Sequence, residues 1–227
     1  MPTSTTPLTL SHNPTTITNA YSVSAASAIY GPAPTAWSVT NTTTIQNLAT
    51  TITNTITPAS GISLANGGTV SNNADATIEA CGIGVAITGT AGTVVNAGSI
   101  ASTGSVEAVA ALDGLVSNAS GGTISGYAGV ALGALKTGGS YGLAGSLTNA
   151  AGGVISGQIL TTGGLFADGV IAANGPGTVT NSGNIRGTTG VWLEAGGTLT
   201  NAADATISGR TNGVRSGLIT GQTLPTT

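Results

Sequence analysis

One short pattern, a Val, Ile or Leu two residues ahead of an Asn, recurs from near the start of this chain to near its end and limits what it can fold into. The asparagines are Asn19, Asn41, Asn72, Asn96, Asn118, Asn149, Asn181 and Asn201. The apolar partners are Ile17, Val39, Val70, Val94, Val116, Leu147, Val179 and Leu199. The clearest pair of units is Gly177–Gly209, GTVTNSGNIRGTTGVWLEAGGTLTNAADATISG, whose asparagines stand 20 residues apart. Such an array is one continuous body rather than a set of domains.

Each unit carries two further apolar anchors. One follows the Asn by four residues (Val23, Ile45, Ile100, Ile185) or by six (Ile78, Ile124, Ile155, Ile207). The longer turns read NNADATI, NASGGTI, NAAGGVI and NAADATI, so this is one turn with an optional two-residue insertion. The other anchor lies some six or seven residues further on, at Ile29, Val85, Val106, Val130, Val191 and Val214. Short β-branched segments separated by Gly, Asn and Ser read as strands between turns. No window sustains a helical period.

Three short strands per unit suit a coil that winds once around a core. The expected fold is therefore all-β, a parallel β-helix (β-solenoid) of about eight coils with three strands each, and a rod roughly 40 Å long at about 4.8 Å per coil. Strand alternation points Val191 and Leu193 inward and Trp192 outward, with Val85 and Ile87 inside. Asn suits a corner that demands unusual backbone angles, and stacked Asn amides can hydrogen-bond along the axis as a ladder. All eight asparagines are expected in that ladder.

Residues 1–16 are Pro- and Thr-rich, match no unit, and read as an irregular lead-in or cap. The β-helix is expected over 17–218, with insertions near 47–60, 135–145 and 160–166, and a tail at 219–227. Inserts must leave the coil, and loops of that kind often carry binding sites.

Composition narrows function more than it defines it. Charged residues make up 5% of the chain, against about 25% in ordinary soluble domains. Mean hydropathy is +0.33. Disorder requires the reverse of both. The four basic residues, Lys136, Arg186, Arg210 and Arg215, form no patch, which argues against nucleic-acid binding. No apolar run is long enough for a transmembrane helix. Cys81 is the single cysteine, so no intrachain disulfide can form. The first residues show no secretory signal, so an exported protein would be leaderless, trimmed, or a piece of a longer chain.

The phrasing Φ-x-N-[AS]-x-G-x-I-x-G…G-V-x-L (Φ aliphatic), as in VTNSGNIRGTTGVWL and LTNAADATISGRTNGV, resembles the passenger regions of bacterial autotransporters and filamentous-haemagglutinin-like adhesins. The likeness runs over roughly Ile17–Leu218. It implies a right-handed helix, in line with the usual hand of parallel crossovers. It also implies an extracellular or cell-surface location and a host or surface glycan or protein as partner.

The residues themselves offer little chemistry. Asp75, Glu79, Glu107, Asp113, Asp168, Glu194 and Asp204 are scattered; Asp168 and Glu194 lie near third-strand positions and could approach each other, but solvated surface charges are the preferred reading. His12 stands in the lead-in without a triad partner. Cys81 has no basic neighbour to activate it. No metal or cofactor motif is present, so no cofactor, metal or catalytic residue is assigned. The expectation is a non-enzymatic structural or adhesive solenoid. The rival is a filament subunit stacking on copies of itself. A polysaccharide-active enzyme or an ice-binding protein ranks lower; for the latter, no T-x-T motif recurs at a fixed place in every coil. Trp192, Tyr141 and Phe166 are the candidate surface contacts.

Overall fold

The computed structural model describes residues 3–4, 6–24, 26–49, 59–133, 145–158 and 167–217. Those residues are all strand, turn and bend, with no helix. The chain winds as a right-handed parallel β-helix with three faces. The first face stacks Thr3–Ser4, Tyr21–Val23, Thr44–Asn47, Thr77–Ala80, Ser99–Ser102, Thr123–Gly126 and Val154–Gly157. The second stacks Leu8–Thr9, Ser27–Gly31, Ser60–Leu64, Val85–Ile87, Val109–Ala111, Val130–Leu132 and Val170–Ala172. In the last two turns a single long strand, Asn184–Leu193 and then Thr206–Ser216, rounds the corner and serves both faces.

The third face is a separate eight-stranded sheet: Thr15–Ile17, Trp37–Asn41, Gly68–Asn72, Gly92–Asn96, Leu115–Asn118, Ser146–Asn149, Gly177–Asn181 and Gly197–Asn201. The described residues thus make eight coils and two faces of a ninth.

The repeat exists because each position falls on its equivalent in the next coil. Val39, Val70, Val94, Val116, Leu147, Val179 and Leu199 form one column. Ile45, Ile78, Ile100, Ile124, Ile155, Ile185 and Ile207 form the second. Ile29, Ile62, Val85, Val109, Val130, Val170, Val191 and Val214 form the third. All three point into one dry core. Full burial of each such side chain is worth about 1.5–3 kcal/mol. At the last coil the columns open: Leu199 and Ile207 are only partly buried, and Val214 is 48% exposed.

Several expectations need correction. The third anchor of its unit is Val109, not Val106. Val106 lies in the corner before it and packs against Ile83, Ala86 and Ala110, a small apolar cluster on the outer side of the second face. The β-helix begins before Ile17, because Thr3–Ser4, Leu8–Thr9 and Thr15–Ile17 each pair with the next coil. Of the expected insertions, residues 50–58, 134–144 and 159–166 lie outside the described residues, as does the tail from 218.

The outward side of the third face has a regularity that the linear sequence conceals. Two columns run along it. One is Ser38, Thr69, Thr93, Leu115, Ser146, Thr178 and Thr198; the other is Thr40, Ser71, Val95, Ser117, Thr148, Thr180 and Thr200. No T-x-T recurs in every coil, but a hydroxyl-x-hydroxyl motif stands at one place in five of these seven strands, once Ser is counted with Thr and coils of unequal length are brought into register.

Candidate functional site

The most organised polar feature is the stack of asparagines that closes each third-face strand. Asn41 Nδ2 donates to Asn72 Oδ1 at 2.9 Å, Asn72 to Asn96 at 2.8 Å, and Asn96 to Asn118 at 2.8 Å. Asn118 donates to Asn149 at 2.9 Å, Asn149 to Asn181 at 2.8 Å, and Asn181 to Asn201 at 2.8 Å. From Asn41 to Asn181 these side chains are buried.

Each amide also ties its own turn. In short turns the acceptor is the carbonyl two residues on: Thr43, Gly98 and Gly183. In long turns it is four residues on: Ala76, Gly122, Gly153 and Ala205. In both cases that carbonyl stands two residues before the Ile anchor, so the two-residue insertion leaves the acceptor in place. A third carbonyl, from the next coil, shares the same amide, as with Asn72 and Ser99 at 3.1 Å. These partners fix the amide's orientation, since a flipped side chain would aim oxygen at carbonyl oxygens.

Asn19 is not part of the ladder. The first third-face strand is displaced by two residues, placing Ile17 rather than Asn19 beside Asn41. The same displacement puts Tyr21 beside Ile45 and Val23 beside Asn47. A shift of two preserves the inside–outside alternation, so it costs nothing in facing. Ile17 stays buried and ends the ladder with an apolar side chain, while Asn19 is exposed at the corner. At the other end, Asn201 is exposed and donates to Ala205 of its own turn.

Trp192 does point away from the core, yet it is not a free surface. It is 6% exposed, its Nε1 donates to the Gly217 carbonyl at 2.9 Å, and Arg215 from the next coil lies over its ring at 5.1 Å from the centroid. Stacking one coil on the next is what covers it. Tyr141 and Phe166 lie outside the described residues.

Asp168 is the buried ionisable group of this region, and its Oδ1 accepts from the Thr189 N–H at 3.2 Å. Burial pushes its pKa above the usual carboxylate value, against the opposing pull of Thr189 and of the Arg215 charge. Tyr127 is likewise shifted up, by burial first and then by the Asp168 and Glu107 charges. Asp168 and Glu194 do not form a pair. One precedes the second face at Val170 and the other follows it at Leu193, so the length of a strand separates them.

The other reactive groups stand apart. His12 is exposed and bonds Ser11 Oγ at 3.1 Å. Cys81 is a free, half-buried thiol. Asp75 sits in a long turn with φ of 64°, beside a surface notch of about 380 Å³ formed where the short turn of the next coil recedes. Among the described residues, no three His, Cys, Asp or Glu side chains come together as a metal site. No helix there is long and apolar enough to cross a membrane. No family model, curated protein or solved structure matches this chain.

Proposed function

We propose that this protein is a non-enzymatic structural or adhesive β-solenoid that works outside the cell or at its surface, as a stalk or adhesin passenger. The observation that carries this reading is the unbroken stack: three apolar columns and a seven-membered asparagine ladder continue in register through successive coils. Such a body is stiff along its axis and presents long side faces, which suits a spacer or an adhesive rod. The resemblance of its repeats to autotransporter passengers points the same way. Antibody labelling of intact native cells tests it: staining without permeabilisation is the expected result, and staining only after permeabilisation overturns it.

The rival is a filament subunit joined head-to-tail. Its support is the last coil, where Leu199 and Ile207 are incompletely covered and the final strand pair is largely exposed. Unpaired sheet edges invite further strands. Electron microscopy of the pure protein separates the two, since long fibres favour the rival and discrete short rods reject it.

A further inference from the structure

We infer that the outward side of the third face is an ice-binding surface. This inference stands on the register and exposure of that face and does not depend on where the protein is located.

Twelve of the fourteen outward positions from Trp37–Asn41 to Gly197–Asn201 carry a hydroxyl. None of these twelve side chains is buried, and none has a hydrogen-bond partner among the described residues. Thr148, Thr178, Thr198 and Thr200 are exposed and the other eight half-exposed, and each has a Ser or Thr at the equivalent position in an adjacent coil, save where Val95 or Leu115 intervenes. Along a strand the hydroxyls repeat at about 6.7 Å, and between coils at about 4.8 Å. The result is a grid periodic in two directions.

Large parallel sheets ordinarily twist, and side-chain ladders are one device that flattens them. Here the ladder ends every strand of this face, from Asn41 to Asn201. The strands that carry the grid are therefore tied to one another at one end by a continuous run of side-chain hydrogen bonds.

A grid of this kind is a poor site for a dissolved ligand. Each hydroxyl exchanges a bond to water for a bond to ligand, with little net gain. The face carries no charged side chain and no outward aromatic ring. It thus lacks the Trp, Tyr and Arg anchors of protein interfaces and the aromatic platforms on which sugars stack. What matches it is a ligand that is itself a lattice of water oxygens. Many weak bonds then form at once, and a rigid array spends little entropy in forming them. Threonine suits this better than serine because its methyl fills the space between rows. Two positions break the pattern, Val95 and Leu115, adjacent on the diagonal and both exposed.

The test is nanolitre osmometry on the full chain, reading the gap between melting and freezing points and the shape of the crystals. The expected result is a gap that grows with protein concentration, with faceted crystals. Thr148→Tyr, in the middle of the grid, should reduce the gap at least about tenfold, because the contacts act together. Thr123→Tyr is the matched control: an exposed threonine of the same coil, on the first face, which should leave the gap unchanged. Val95→Thr combined with Leu115→Thr should widen it. Circular dichroism melts check that each variant is folded. The inference is overturned if the unmodified protein shows no more gap than serum albumin at equal concentration. It is equally overturned if Thr123→Tyr and Thr148→Tyr reduce the gap alike.

Discussion

Asn118 Nδ2 donates to Asn149 Oδ1 at 2.9 Å across 31 residues of chain, and the same amide donates to Gly122 of its own turn at 3.0 Å. One side chain thus joins two coils and closes a corner. Its own Oδ1 accepts from Asn96 at 2.8 Å. Sequence distance matters little here, because the step from Asn181 to Asn201 spans 20 residues and makes an equivalent 2.8 Å bond.

Replacing that amide by a shape-matched apolar group should be costly in the middle of the ladder and cheap at its end. Asn118→Leu takes the donor away from the buried Asn149 Oδ1 and the second donor away from the Gly122 carbonyl, which keeps the Val154 N–H, while Asn96 Nδ2 keeps its bonds to Gly98 and Thr123. A buried group left without a partner costs about 1–3 kcal/mol. A loss of about 2–3 kcal/mol is expected. Asn201→Leu, at an exposed position, should cost about 1 kcal/mol. Urea denaturation of both variants reads the difference, and equal costs would mean that the ladder carries no special weight.

Three of the four long turns place a left-handed residue at one position, occupied by Asp75 (φ 64°), Gly121 (φ 79°) and Gly152 (φ 78°). Space is not the constraint at Gly121, since an added Cβ would meet nothing within 4 Å. Gly121→Ala should therefore cost about 1 kcal/mol from backbone conformation alone. Gly121→Asn should cost less, because Asn tolerates this region. Thermal melts of the two proteins provide the check, and a neutral Gly121→Ala would contradict the turn geometry.

Asp168 sets the expected pH response. Its carboxyl takes up a proton more readily folded than unfolded, because burial raises its pKa. Its contribution to stability is therefore complete below the ordinary carboxylate pKa of about 3.9 and is lost as the pH rises through the higher native value. Asp168→Asn keeps an acceptor for the Thr189 N–H without the charge. The variant should be more stable than the parent at neutral pH, with the difference closing as the pH falls toward the ordinary carboxylate range. Stability curves against pH for the two proteins decide the matter.

Much of the architecture is readable from spacing alone, because Φ-x-Asn marks the end of one face and the following Ile marks the start of the next. The column from Val39 to Leu199 follows directly from that pattern. What escapes it are features that depend on register between coils. Asn19 matches the motif but sits beyond a two-residue displacement that alternation cannot reveal. Val106 lies at the expected distance from its neighbours, yet the longer corner hands its place to Val109. Trp192 faces outward, as alternation requires, but the side chain that covers it, Arg215, belongs to the next coil. The hydroxyl grid was hidden for the same reason, since coils of different length disperse in sequence what stacking brings into line.

The measurement that bears most directly on the stacked coil is a set of spin-label distances along the third face, made in a Cys81→Ser background. Thr40 and Thr148 stand four coil steps apart in the same column, and Thr40 and Thr200 stand six. At about 4.8 Å per step, backbone separations of about 19 Å and about 29 Å are expected, growing in proportion to the number of coils. Distances that fail to increase from the first pair to the second would contradict the fold on which every other statement rests.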